Sequence, residues 1–205
     1  MQLIMRTLAL AGLLVSTTAS AQDPVPAWVE QARAGAAGLG SQLQATLMEA
    51  MESGGPVAAI DVCRVRAPEI ATAVSGTGLE VGRTALRIRN PDNQPDDWER
   101  TILEDFERRL VEGEDSDRIE TFAIRNDGQQ RWGHWMRAIP TQPMCLACHG
   151  QALNEEVSAA INRAYPDDQA RGFSPVDLRG AFSVRVELGQ NQTAAPRDQI
   201  PLQIR

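Results

Sequence analysis

The sequence predicts an α+β domain, a small antiparallel sheet flanked by helices. Two observations carry this reading. Apolar residues recur at intervals of four in two long segments, the mark of helices with one buried face. Between and after them lie alternating runs that read as strands, in an order (helices, strand, helix, hairpin, helix, strand) unlike the regular alternation of a parallel sheet. A length of 205 residues and a hydrophobic fraction of 42 % suit one domain with a packed core.

The elements follow in order. Residues 1–21 read as a secretory signal peptide. Arg6 gives the positive start, Thr7 to Val15 an apolar run too short to span a bilayer, and Ala19-Ser20-Ala21 the small residues before cleavage. Residues 22–27 are a Pro-rich lead-in. From Trp28 to Glu52, Leu39, Leu43, Leu47 and Met51 form one stripe. The run SGGP at 53–56 ends that helix, and Pro56 can open the next at its first turn. Residues 57–66 read as helix, which Pro68 kinks or ends. Residues 79–90 suggest a strand. Asp96 and Glu99 form a capping box ahead of a second stripe of Trp98, Ile102, Phe106 and Leu110. Residues 118–140 read as a hairpin turning at Asn126-Asp127-Gly128. On its second arm Trp132, His134 and Met136 share one face, and Trp135, Arg137 and Ile139 the other. A helix is expected over 153–165, a loop over 166–180 and a strand over 181–188. Residues 189–205 form a polar tail, expected to fray.

The net charge is −7, with no dominant acidic or basic run. All 20 basic residues are arginine. An acidic chain without a basic patch argues against nucleic-acid binding, which rests on phosphate contacts. Removal of the leader leaves no stretch apolar enough to span a membrane, so the mature chain is expected in the periplasm, where disulfides are permitted.

The chemistry concentrates in PMCLACHGQ (143–151). The chain has three cysteines and two histidines, and Cys145, Cys148 and His149 lie within five residues as C-x-x-C-H. Behind an export signal this pattern points to one covalent haem c. Cys145 and Cys148 would form thioethers to the two vinyl groups, and His149 would ligate the iron. The competing reading, a redox-active C-x-x-C with an incidental histidine, wants a thioredoxin-like βαβ setting that this chain lacks.

For the opposite axial position the residues leave Cys63 and His134 nearly level. Cys63 is the unpaired cysteine, and Arg64 and Arg66 beside it favour a thiolate. Thiolate on iron is known haem chemistry. A buried free thiol and a packed histidine are the plain alternatives. Met48, Met51, Met136 and Met144 read as core filler. Arg83, Arg87, Arg89, Arg131 and Arg137 cluster on the expected strands, where a bidentate guanidinium could meet a haem propionate.

Five segments, in order, resemble one family: VCRVRAPEIA (62–71), GRTALRIRNPDNQPDDWE (82–99), RWGHWMRAIP (131–140), CLACHG (145–150) and RGAFSV (179–184). Together they resemble the Tll0287-like haem domain family, over about 28–188. The resemblance implies a PAS-like fold, a c-type haem and a Cys/His iron, with Cys63 distal and His149 proximal. Arg89 falls in the family's R-N-P motif, which favours it as a haem-edge residue. Two departures stand out. Ala85 and Arg87 replace a frequent Ser and Lys, and His134-Trp135 replaces a usual Arg-Tyr, which keeps His134 open as a rival ligand.

Two functions compete. One is a redox or diatomic-gas sensor acting through a separate protein partner, since family members are often sensor parts of signalling proteins. The other is a periplasmic electron-transfer cytochrome. An enzyme is not expected: peroxidase-like chemistry would need His134 free as acid–base above an open iron.

Overall fold

The protein, described by a computed structural model over residues 24–126 and 130–189, is built on one four-stranded antiparallel sheet. Its strands are β1 (Leu79–Thr84), β2 (Glu120–Asn126), β3 (Arg131–Pro140) and β4 (Leu178–Leu188), in the order β1-β4-β3-β2. The helices are α1 (Ala27–Asp61), α2 (Ala67–Val74), α3 (Asp97–Val111), the single turn α4 (Leu146–His149) and α5 (Glu155–Ala164). This is the expected α+β arrangement. The leader 1–21, the turn residues Asp127 and Gly128, and the tail beyond Gly189 lie outside the described residues.

Helices cover both faces of the sheet. Val29, Ala32, Ala36, Leu39 and Leu43 of α1 pack against Val81, Trp135, Val184 and Val186. On the other face Leu103 and Phe106 of α3 meet Met136, Ala138 and Ala181, with Trp98, Ile102 and Leu110 at the margin. Trp135 and Met136 thus point to opposite faces, as strand alternation requires. The α3 start carries the anticipated capping box: Asp96 accepts from the Glu99 N–H at 2.7 Å, and Glu99 accepts from the Asp96 N–H at 2.9 Å. Val157 and Ile161 of α5, with Tyr165, pack on Ile60 at the end of α1.

Helix α1 breaks where SGGP stands. Gly55 has φ 67° and ψ −166°, a conformation that a side chain would oppose, and Pro56 follows inside the helix. Pro68 does not end the helical run. Residues Val62–Arg66 widen into a π-helical turn, in which the Ala67 N–H reaches back five residues to the Val62 carbonyl. Pro68 then falls in the first turn of α2, and the widened turn ahead of it relieves the clash its ring would make.

The expected strand over 79–90 stops at Thr84. Residues 85–90 leave the sheet for other partners: Ile88 O accepts from the Gln169 N–H at 2.9 Å. Strand β4 begins three residues earlier than its alternation suggested, and α5 is shorter than expected by two residues at its start and one at its end.

Candidate functional site

A cleft opens between the end of α1, the widened turn, α4 and the β1/β4 edge. The cleft has a volume of about 190 Å³. Leu43, Leu47, Met51 and Ile60 give it an apolar wall. Cys63, Cys145, Cys148 and His149 all line it, so the three cysteines, none of them in a disulfide, meet at one site although Cys63 lies far from the others in sequence.

The motif is held in a tight turn. Residues Pro143–Cys145 form a 3-10 turn that runs into α4, putting Cys145 and Cys148 three residues apart on one helical face. The turn closes on Gly150, whose N–H donates to Leu146 O at 3.0 Å; a β-carbon there would lie 2.6 Å from that same oxygen. The Phe173 N–H donates to His149 O, and the Gly172 N–H to Gly150 O, both at 3.0 Å, pinning the motif to the 165–177 loop.

His149 is set up as a neutral donor. Its Nδ1 lies 2.7 Å from Ala170 O. A carbonyl can only accept, so Nδ1 carries the proton and Nε2 keeps its lone pair. Burial, followed by the charges of Arg179 and Arg89, pushes the imidazole down to about 2. Burial also raises the Cys148 thiol.

Arg89 lies beneath the motif, 7 % exposed. It donates to Asp168 through Nε at 2.9 Å and Nη2 at 3.2 Å, and Nη2 also reaches Cys148 O at 2.7 Å and Ala170 O at 3.0 Å. Its polar reach is thus directed at protein groups, and it lines the cleft as a strut. Burial alone would raise Asp168, but hydrogen bonds from Arg89 and Arg171 outweigh it and hold the carboxyl below its usual range.

The other expected residues divide. Arg64 and Arg66 are exposed and pair with Asp61 and Glu69, so their charges are matched away from the cleft. His134 is buried against the opposite side of the sheet and is not among the cleft residues. Its Nδ1 meets Arg125 Nη1 at 3.0 Å and its Nε2 meets Ser183 Oγ at 2.7 Å. The guanidinium can only donate, so Nδ1 accepts and Nε2–H donates to Ser183, which in turn donates to Glu99 at 2.6 Å. Met51 and Met144 line the cleft, whereas Met136 is core and Met48 is exposed. The arginine cluster is dispersed: Arg83 and Arg89 reach the cleft, Arg87 stacks over Phe173 at 3.5 Å, Arg137 pairs with Asp117, and Arg131 begins β3.

Sequence reasoning missed two cleft residues. Arg179 stands at the start of β4, in a stretch that reads as loop from the sequence; its signal is its position in the RGAFSV segment. Tyr165 is the only tyrosine of the chain, and burial, with Cys63 next, raises its phenol to about 12. Among the described residues no three His, Cys, Asp or Glu side chains converge to hold a bare metal ion. Cys63 and His149 come from separate elements and line the same cleft. Among the described residues no helix is long and apolar enough to cross a membrane.

The family model described as Tll0287-like matches residues 6–187. The crystal structure of the cyanobacterial heme-protein Tll0287 is similar with a TM-score of 0.58 and 26 % sequence identity, covering 83 % of this chain and 100 % of that one. Among curated proteins no relative matches.

Proposed function

The chain belongs to the Tll0287-like family, and from that premise we propose that it is an exported haem protein carrying one covalent haem c in the cleft. The observation that carries the reading is the meeting of Cys145, Cys148 and His149 with Cys63 around one apolar-walled void. The similar structure is that of a heme-protein. Cys145 and Cys148 would each add S–H across a vinyl group, a step without net oxidation, and the i, i+3 spacing presents both sulfurs to one edge of a planar group. His149 would donate through Nε2, already neutral and fixed by Ala170. Cys63 would face it from the widened turn. Arg89 holds the backbone of the motif through Cys148 O.

When bound, haem supplies a one-electron couple and, if an axial ligand leaves, a position for a diatomic gas. The function proposed is redox or gas sensing, relayed to a partner protein. A second reading, electron transfer, draws support from the two donor residues, Cys63 and His149, that separate elements bring to the cleft, because a fully ligated iron exchanges electrons without binding substrate. No catalytic role is proposed, since both nitrogens of His134 are engaged elsewhere.

One experiment separates these. Holoprotein made with cytochrome c maturation is examined by absorption and EPR spectroscopy, oxidised and reduced, with and without carbon monoxide or nitric oxide. Gas binding on reduction supports the sensor; a spectrum indifferent to gas, with fast electron exchange, supports the carrier. Haem lost on denaturing electrophoresis would remove the covalent assignment altogether.

A further inference from the structure

Three arginines line the cleft, and their charges are not treated alike. Arg89 is neutralised by the buried carboxylate of Asp168. Arg83 and Arg179 form no ion pair among the described residues. The nearest polar contact of Arg179 is a long one, Nη1 to Arg87 O at 3.5 Å, with its guanidinium 5.3 Å from the Phe173 ring centre. Two unmatched cations facing an apolar-walled void are costly to keep unless an anion joins them.

We propose that Arg83 and Arg179 form a dicarboxylate subsite that receives the two propionates of the cofactor. The inference rests on the haem reading above.

Geometry supports it. Arg83 is on β1 and Arg179 on β4, two strands that pair directly, with Arg83 opposite Phe182. The pair is therefore carried by hydrogen-bonded sheet, not by loops. Burial lowers both guanidinium groups from their ordinary value, Arg179 to about 10. The strongest charge that Arg83 feels is that of Cys63, while Arg179 leads the charges acting on His149. Both arginines line the same cleft as Cys63, Cys145, Cys148 and His149, where each could meet one flexible propionate.

Charge counting points the same way. Ferric iron, a porphyrin dianion and one thiolate sum to zero. The two propionates are then the charge left over, and two unpaired arginines match it. Arg89 is excluded from this role by its commitment to Asp168 and Cys148 O.

The test uses matured holoprotein as wild type, Arg83→Gln, Arg179→Gln and the two corresponding Arg→Lys variants. Covalent haem is scored on denaturing gels, the midpoint potential by titration, and propionate bending modes by resonance Raman. Loss of a positive charge disfavours the added electron. Each Gln variant should keep its haem, show moved propionate modes, and shift the couple about tenfold towards ferric, about 59 mV for one electron. The Lys variants should move the modes while holding the potential near wild type. Unchanged modes and potentials in both Gln variants overturn the subsite, as does a potential change that Lys fails to restore. Should a Gln variant not fold, unmoved propionate modes in the matching Lys variant overturn it. Wild-type protein without covalent haem overturns the haem reading itself, and the gel reports that separately.

Discussion

The Arg89 guanidinium grips Asp168 with two nitrogens, at 2.9 and 3.2 Å, and with one of them also takes the carbonyl oxygen of Cys148 at 2.7 Å. Residues 79 positions apart in sequence thus fix the backbone of the C-x-x-C-H turn. Both side chains are almost fully buried, 6 % and 2 % exposed. Removing one partner of such a pair leaves the other charge stranded.

Asp168→Asn should therefore destabilise the fold by about 3–5 kcal/mol. Replacing both Arg89 and Asp168 with apolar residues should cost less than the single change, because no fully buried charge is then left unmatched; Arg171, which also pairs with Asp168, is 30 % exposed. Urea unfolding of the single and double variants decides this; a double variant worse than Asp168→Asn would refute it.

The same carboxyl predicts an acid limb. Asp168 is held below its unfolded value of about 3.9, so the folded state binds fewer protons at this site than the unfolded chain. Its contribution is present above that value and is lost as pH falls through the lower folded one. Stability measured by denaturant at stepped pH should fall there, and Asp168→Asn should flatten the fall.

Axial ligation should depend on Cys63 and not on His134. In matured holoprotein, Cys63→Ala should abolish low-spin thiolate-type ferric spectra and open the iron to added ligands, with haem still attached. His134→Ala should leave the spectrum unchanged while lowering stability by about 1–3 kcal/mol, since Ser183 and Arg125 lose a buried partner. The reverse pattern of spectra would reverse the assignment.

Gly150→Ala should impair haem attachment more than its size suggests. The added β-carbon would meet Leu146 O at 2.6 Å, and a backbone atom cannot step aside as a side chain can. The turn must open, shifting Cys148 relative to Cys145. Haem stoichiometry per chain, read from absorbance, should fall while expression of the polypeptide persists.

Much of this was legible in the chain. Leu39 and Leu43 announced the buried face of α1, Asp96 and Glu99 the start of α3, and Trp135 with Met136 the two faces of β3. These signals are local, and local backbone geometry decides them. The C-x-x-C-H site was legible for the same reason. What escaped depends on distant partners. Residues 85–90 alternate like a strand, but Ile88 O bonds to Gln169. The Arg89–Asp168 bond and the presence of Arg179 and Tyr165 in the cleft arise only when the 165–180 segment folds back. The widened turn at Val62–Arg66 has no compositional mark, since its five-residue hydrogen bond is a matter of register and not of residue type.

That turn has a genetic consequence. A π-helical turn holds one residue more than an α-helix needs, and each residue of an α-helix advances about 100° around the axis. In-frame loss of a single codon between Val62 and Arg66 would restore ordinary bonding and swing Cys63 relative to α2, with helix content nearly unchanged. The motif near residue 145 would stay intact. With haem bound as proposed, attachment of the cofactor and the identity of its sixth ligand would therefore be separable by mutation, and the deletion of one codon would be enough to part them.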